Sequence, residues 1–345
     1  MENKQEQIPM ISVVMSVYNG EKYIREAIES ILNQTFSDFE LIILDDGCTD
    51  HTEEIIKEYT DKRIRYTKNP GNLGLAGSLN RGLELARGKY IARMDSDDVA
   101  LTDRLQKQVD YMENHPDVIL LGGQSELLQN DIVMKNDFHA PVEDEEIRLM
   151  ILYHNPFLHP TIMMRGDVVR KNALRYQNRY VDDYDLWIRM LPYGKMHNLE
   201  DALLKYRVHD NNFSVVNKNT HIDDAEQSLR EKYISSLGLS DSEKKTLIGA
   251  FRNEIQLKDN IDDLADILLK YSESVGADPE KKSNAYHLTK MLFGFVIKNT
   301  REGLGLYSKW KKQKDCFTGI SDKEKNRLFL KCLFKDRLHK PGYRG

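Results

Sequence analysis

Four short apolar runs in the N-terminal third of the chain, Ile11–Val17, Phe39–Leu44, Arg63–Thr67 and Tyr90–Met94, constrain the fold more than any other feature. Between them the apolar residues change period. Ile24, Ile28, Ile31 and Leu32 stand at i, i+4, i+7 and i+8; Ile55, Ile56 and Tyr59 follow the second run, and Leu75, Leu79 and Leu83 follow the third. Short runs bounded by turn residues read as strands, and the 3.6-residue spacing reads as helix. Strand–helix alternation through four strands predicts a parallel α/β sheet. Asp50 with Glu53 three residues on reads as a capping box for the second helix, and Gly88 reads as the stop after the third.

Open α/β sheets bind ligands beyond the carboxyl ends of their strands. Polar clusters stand at those ends here: Tyr18 and Asn19 after the first strand, Asp45 and Asp46 after the second, and Asp95, Ser96, Asp97 and Asp98 after the fourth. Taken alone, the last run reads as a solvated acidic turn leading into a helix capped by Thr102. Three clusters on one sheet edge reverse that reading and predict a site. Carboxylates in this density repel one another, and a hard divalent cation that also binds substrate phosphates suits them.

The second half departs from simple alternation. Thr102–Asn114 reads as helix, Val118–Gly122 and Glu126–Met134 as strands around a Gln129-Asn130-Asp131 turn, Pro141–Leu152 as helix and Thr161–Met164 as strand. Asp182-Asp183 opens another helix that Gly194 ends, and Leu203–Val208 is a last strand leading to His209. From about Asp223 the chain is helix-rich. Residues 1–100, 101–220 and 221–345 are the expected divisions, the first two forming halves of one α/β domain and the third a C-terminal helical extension. Arg327, Lys331 and Lys335 at i, i+4 and i+8 beside Phe329, Leu330, Leu333 and Phe334 make a basic amphipathic helix, suited either to an anionic membrane or to packing on its own bundle.

With 50 Lys+Arg against 55 Asp+Glu the net charge is −5, which argues against a nucleic-acid partner. Cys48, Cys316 and Cys332 lie far apart with no metal spacing, no apolar run approaches the ~20 residues of a membrane span, and MENKQEQIPM lacks a signal-peptide core. A cytoplasmic location is the expectation, with peripheral contact at the inner face of the membrane through the C-terminal basic helices.

Longer blocks then carry a resemblance. SVVMSVYNGEKYIREAIESILNQTFSDFELIILDDGCTDHT, NLGLAGSLNRGLELARGKYIARMDSDD, YVDDYDLWIRM and KYRVHDNNFS, spread over Ile11 to Ser214, closely resemble in order and spacing the family 2 glycosyltransferases. The resemblance implies a GT-A fold, a Rossmann-like mixed sheet flanked by helices, in which residues 1–100 bind a nucleotide-sugar donor and 101–220 an acceptor. It implies an inverting, metal-dependent transfer, most simply from a UDP-sugar to a hydroxyl of a glycan or lipid-linked saccharide, with Mn²⁺ or Mg²⁺ as cofactor, in polysaccharide biosynthesis.

By the same resemblance Tyr18 stacks on the base, Asp46 accepts a hydrogen bond from the base and Ser16 lies nearby. Asp95 sits near the ribose and the metal, Asp97 on the metal, and His209 approaches the metal or the diphosphate; a structural histidine is the alternative there. Asp183 matches the general base, although a carboxylate opening a helix is also a natural N-cap. Cys48 stands where serine is usual, and Asp182 where glutamate is common. His159 either faces the acceptor or caps a strand, while Trp187 and Arg189 read as packing and ion-pairing residues behind Asp183. A nucleotidyltransferase and a non-catalytic nucleotide-sugar sensor are the competing readings.

Overall fold

The computed structural model describes residues 8–136, 138–177, 180–209, 221–252, 254–278, Asn284 and His287. The first part of the chain runs β1 (Ile11–Val17), α1 (Ile24–Leu32), β2 (Phe39–Asp45), α2 (Thr52–Lys57), β3 (Ile64–Lys68), α3 (Gly74–Leu85) and β4 (Tyr90–Asp95). It continues as β5 (Val99–Ala100), α4 (Arg104–Asn114), β6 (Val118–Gln129), β7 (Ile132–Lys135), α5 (Asp144–Met150), β8 (Met163–Arg165), α6 (Gly166–Lys171), α7 (Asp182–Met190) and β9 (Lys195–Arg207). Three helices follow: α8 (His221–Ser236), α9 (Asp241–Arg252) and α10 (Leu257–Ser274).

The nine strands among the described residues join one sheet in the order β3-β2-β1-β4-β8-β6-β9-β5, with β7 paired to β6. The β1–β4 region is parallel, as the alternation predicts, and β8 joins it antiparallel. Successive side chains of a strand point to opposite faces. Ile11, Val13, Met15 and Val17 therefore pack with Ile24, Ile28 and Ile31 of α1 and with Leu105, Val109 and Met112 of α4 in one buried cluster. The other face carries Val14, against which α3 lies so closely that a Cβ on Gly82 would stand 2.3 Å from Val14 Cγ1. Register then fixes the site: Ser16 is opposite both Leu44 and Asp95, and Val17 is opposite Asp45.

The structure corrects several local expectations. Asp50 Oδ1 accepts hydrogen bonds from Thr52 N and Oγ1, but Glu53 pairs with Lys57 and Lys68 instead of closing a box. Thr102 does not cap α4, which begins after Asp103 without a side-chain cap. Gly88 is not a left-handed helix stop: α3 ends at Leu85, and Gly88 lies where a Cβ would meet the backbone of Ser12 and Ile11 at 2.5 and 2.8 Å. β6 is one strand of 12 residues, and its turn at Asn130-Asp131 takes positive φ (50° and 61°) before β7. α5 is shorter than Pro141–Leu152, and β9 starts eight residues before Leu203 because it pairs in parallel with β6 across register shifts near Gly123 and Gln124.

The chain divides into two compact units, residues 1–144 with 155–225, and 145–154 with 226–345. In the second unit, Tyr271 Oη donates to Arg148 O at 2.5 Å and lies 3.1 Å from Tyr233 Oη, linking α10, α5 and α8. Among the described residues no helix is long and apolar enough to cross a membrane. The basic amphipathic segment around Arg327, Lys331 and Lys335 lies outside the described residues.

Candidate functional site

The loops after β1 and β2 are tied together, and this displays Tyr18. Asn19 adopts φ +52°, a conformation asparagine tolerates. Its Oδ1 accepts from Thr49 N at 2.8 Å, and Gly20 N donates to Thr52 Oγ1 at 2.8 Å. Tyr18 is left 55% exposed at the carboxyl edge of the sheet. The two aspartates after β2 separate by role. Asp45 closes the turn, accepting from Tyr66 Oη (2.6 Å), Cys48 N (2.7 Å) and Gly47 N (3.0 Å). Among the described residues Asp46 is anchored through one oxygen, Oδ1, by Asn69 Nδ2 at 2.8 Å and Leu73 N at 2.9 Å. Ser16 Oγ donates to Ser78 Oγ at 2.8 Å, joining β1 to α3 beside them. Burial pushes the Cys48 thiol up to about 11, so it stays protonated and serves the fold.

At the end of β4, Asp95, Asp97 and Asp98 bring carboxylate oxygens within 4.8 Å of one another. Asp98 Oδ1 accepts from Arg207 N at 2.8 Å, while its Oδ2 is buried without a hydrogen-bond partner. Burial, against the opposing pull of Arg93, raises Asp95 to about 6; burial and the neighbouring Asp95 and Asp97 raise Asp98 well above the ordinary carboxylate range. A mutually repelling set of hard oxygen donors, two half-buried and the third, Asp98, buried with one oxygen unpartnered, fits a divalent cation. The sequence places Asp98 in the acidic run, but the family resemblance gives metal roles to Asp95 and Asp97 alone; the structure adds the Asp98 carboxylate to their cluster. His209 reaches this cluster through Asp97, its Nε2 lying 2.9 Å from Oδ2.

Two buried arginines hold the acidic turn. Arg93 and Asp95 stand two residues apart on one strand and so share a face; Arg93 grips Asp95 with both terminal nitrogens, Nη1 at 2.5 Å from Oδ2. Arg207, at the end of β9, donates from Nε to Asp97 O at 2.7 Å and pairs with Glu26. Its guanidinium lies 4.6 Å from the ring of Tyr23, which in turn meets the His209 ring in a tilted contact at 5.1 Å. The signals for both were present in the chain, a basic residue at period 2 before the acidic run and another two positions before His209.

Asp182 and Asp183 occupy the first turn of α7, and neither is its N-cap, which is Val181. Asp183 Oδ2 accepts from Asn155 Nδ2 at 2.7 Å, and Oδ1 from Tyr184 N at 2.7 Å. Burial, reinforced by Asp183, pushes Asp182 up to about 7; burial also raises Asp183, with the Tyr184 and Asn155 hydrogen bonds and Arg93 pulling the other way. His159 Nε2 lies 3.1 Å from Tyr176 Oη, and its ring meets Trp187 edge-on at 5.8 Å. Burial and the nearby Arg93 keep this imidazole neutral. Behind Asp183, Trp187 is fully buried and Arg189 pairs with Asp185 at 2.7 Å. Asn155 and Tyr176 had no sequence signal, because each belongs to the site through tertiary contact alone.

The chain matches the family model described as Glycosyl transferase family 2 over residues 12–172. It is 41% identical over 220 residues to an uncharacterized glycosyltransferase of Methanocaldococcus jannaschii, covering 61% of this chain and 75% of that protein. It is 38% identical over 211 residues to the O-antigen biosynthesis glycosyltransferase WbnJ of Escherichia coli, covering 59% and 81%. Among solved structures, Staphylococcus aureus TarS 1–349 in complex with UDP-GlcNAc superposes with a TM-score of 0.60 at 18% identity, over 96% of this chain and 93% of that one. The mixed sheet flanked by helices is thus the GT-A architecture, and the sequence relatives give the activity class: this chain is a glycosyltransferase and belongs to glycosyltransferase family 2.

Proposed function

We propose that the protein is an inverting, metal-dependent glycosyltransferase that moves a sugar from a UDP-sugar to a hydroxyl of a glycan or lipid-linked saccharide, with Asp183 as general base. The observation that carries the reading is the shared arginine. Arg93 binds Asp95 of the acidic cluster and also lowers the proton affinity of Asp182 and Asp183, so the cluster and the carboxylate pair act within one electrostatic field. The UDP-GlcNAc bound by TarS supports a UDP-sugar donor, and relatives named for O-antigen and amylovoran biosynthesis support a polysaccharide product.

In this reading Tyr18 stacks on the base, Asp46 accepts from the base through its free edge, and Ser16 lies beside the nucleoside. Asp95, Asp97 and Asp98 would hold the divalent cation, with His209 orienting Asp97. When bound, the cation supplies positive charge against the diphosphate as it leaves. Asp183 takes the acceptor hydroxyl proton while the oxygen forms a bond to the anomeric carbon; the anomeric C–O bond to the diphosphate breaks, and its electron pair leaves with the nucleoside diphosphate. The hydroxyl becomes acidic only as that bond forms, so the base depends on placement more than on a high proton affinity. Asn155 supplies placement by fixing one carboxylate oxygen.

The test is binding and hydrolysis across UDP-, GDP- and dTDP-sugars with Mn²⁺ or Mg²⁺ and with EDTA, comparing wild type, Asp97→Ala and Asp183→Asn, followed by the anomeric configuration of the transferred sugar. The expected result is metal-dependent turnover of a UDP-sugar with inversion, Asp183→Asn binding the donor but failing to turn it over. Binding without turnover, even with acceptors, would instead favour a sensor. Binding of no nucleotide sugar overturns the assignment.

A further inference from the structure

Helix α3 faces two parts of the site at once. Ser78 and Asn80 are two residues apart, roughly 200° around the helix axis, and so point in nearly opposite directions. Ser78 reaches the donor side, accepting from Ser16 Oγ at 2.8 Å and from Asn69 Nδ2 at 3.1 Å, the same amide nitrogen that anchors Asp46. Asn80 reaches the other way. Its Nδ2 donates to Tyr176 O at 2.9 Å and its Oδ1 accepts from Tyr176 N at 2.8 Å, so one side-chain amide satisfies both backbone groups of a residue 96 positions away.

The segment it grips is tied in turn to the helix of the carboxylate pair. Arg175 O accepts from Arg189 Nη2 at 2.6 Å, and Arg189 also holds Asp185 through Nε at 2.8 Å. Arg189 and Asp185 lie on α7, whose first turn carries Asp182 and Asp183. The phenol of Tyr176 is buried, within hydrogen-bond reach of His159, and its proton affinity is raised by burial, with Arg93 pulling against and Asp182, Asp183 and Asp95 adding to the shift. A continuous path therefore runs from Asp46 through Asn69, Ser78 and α3 to Asn80, residues 175–176, Arg189 and α7.

We propose that Asn80 is a positioning residue that sets the placement of Asp183 relative to the bound donor. The inference rests on Asp183 being the base. The amide of Asn80 donates to the C=O and accepts from the N–H of one residue at the same time; an ionised aspartate accepts but cannot donate, and alanine does neither. The cost of misplacement falls on the chemical step, because a shift of about 1 Å at a reacting group can lower a rate on the order of 10²-fold.

The experiment compares Asn80→Ala, Asn80→Asp, Ser78→Ala and Asp183→Asn with wild type. Affinity for UDP is measured by calorimetry, and kcat and KM with the UDP-sugar that the panel above selects. Asn80→Ala and Asn80→Asp are expected to bind UDP within about 2-fold of wild type and to lose at least ~10-fold in kcat. Ser78→Ala is expected to weaken UDP binding, with the smaller change in kcat. Unchanged kcat in both Asn80 variants, or parallel loss of UDP affinity and kcat, overturns the proposal. If the Asn80 variants do not fold, Arg189→Met cuts the second tie of the same path and is read in the same way. Wild-type turnover in Asp183→Asn removes the base assignment and this role with it, whereas an inactive Asp183→Asn beside normal Asn80 variants removes this role alone.

Discussion

Asn155 Nδ2 donates a 2.7 Å hydrogen bond to Oδ2 of Asp183. A donor aimed at the charged form of a carboxylate lowers its proton affinity, here against burial, which raises it. Asn155→Ala leaves burial in place and removes that donor, so Asp183 holds its proton to higher pH. The expected result is a loss of kcat that is largest at acidic pH and shrinks as pH rises. A full pH–rate profile of the variant checks it; an equal loss at every pH would mean that Asn155 acts on geometry alone.

Arg207 gives a second test, read on the cation. Its backbone N–H holds Asp98 Oδ1, its Nε holds Asp97 O, and its guanidinium pairs with Glu26 under the ring of Tyr23. Arg207→Lys keeps the positive charge and loses the planar fork. Groups that orient metal ligands typically change affinity by 10–100-fold when altered. Mn²⁺ titrated into the protein without donor, followed by electron paramagnetic resonance, should bind about 10-fold more weakly in Arg207→Lys. Wild-type affinity would show that the turn keeps its shape without the fork.

Much of this could be read before the fold was known, and the division has a physical cause. The β1–β4 alternation was legible because each element carries its own period; Asp95 and Asp97 were singled out by their place at a strand end, and Asp183 by an ordered block that resembles a family. Asn80 and Tyr176 were not legible. Their bond joins residues 96 positions apart through a backbone unit, which leaves no trace in residue type. Thr102 and Glu53 misled because both fit capping patterns, while the side chains found other partners or none at the helix end. The early start of β9 was hidden by its parallel pairing with β6, whose register shifts break the alternation a strand normally shows.

Gly88 tests the fold below the site. Its N–H donates to Ser12 Oγ at 2.8 Å, and a Cβ there would lie 2.5 Å from Ser12 N and 2.8 Å from both Ile11 C and Tyr90 O, all backbone atoms that cannot rotate away. Forcing a methyl group into such a contact costs about 1–3 kcal/mol. Gly88→Ala should lower Tm by roughly 2–4 °C per kcal/mol lost. A Tm within ~1 °C of wild type would show that the β1–β4 edge opens without penalty.

Asp182 links the same site to stability. Its carboxyl is pushed up to about 7 by burial and by Asp183, from the 3.8 of a free side chain. The folded protein therefore keeps a proton that the unfolded chain releases from about pH 4 upward. The contribution to stability is full below that value and is lost as pH rises through about 7. Asp95, raised to about 6, adds a slope of the same sign. The metal-free protein should thus lose Tm between about pH 4 and pH 7, and Asp182→Asn, which carries no charge to desolvate, should flatten part of that decline. At pH 8 the variant should melt at least ~2 °C above wild type, the difference vanishing near pH 4. Parallel Tm–pH curves for the two proteins would show that Asp182 keeps its charge in the folded state and that its neighbours, Arg93 above all, compensate for burial in full.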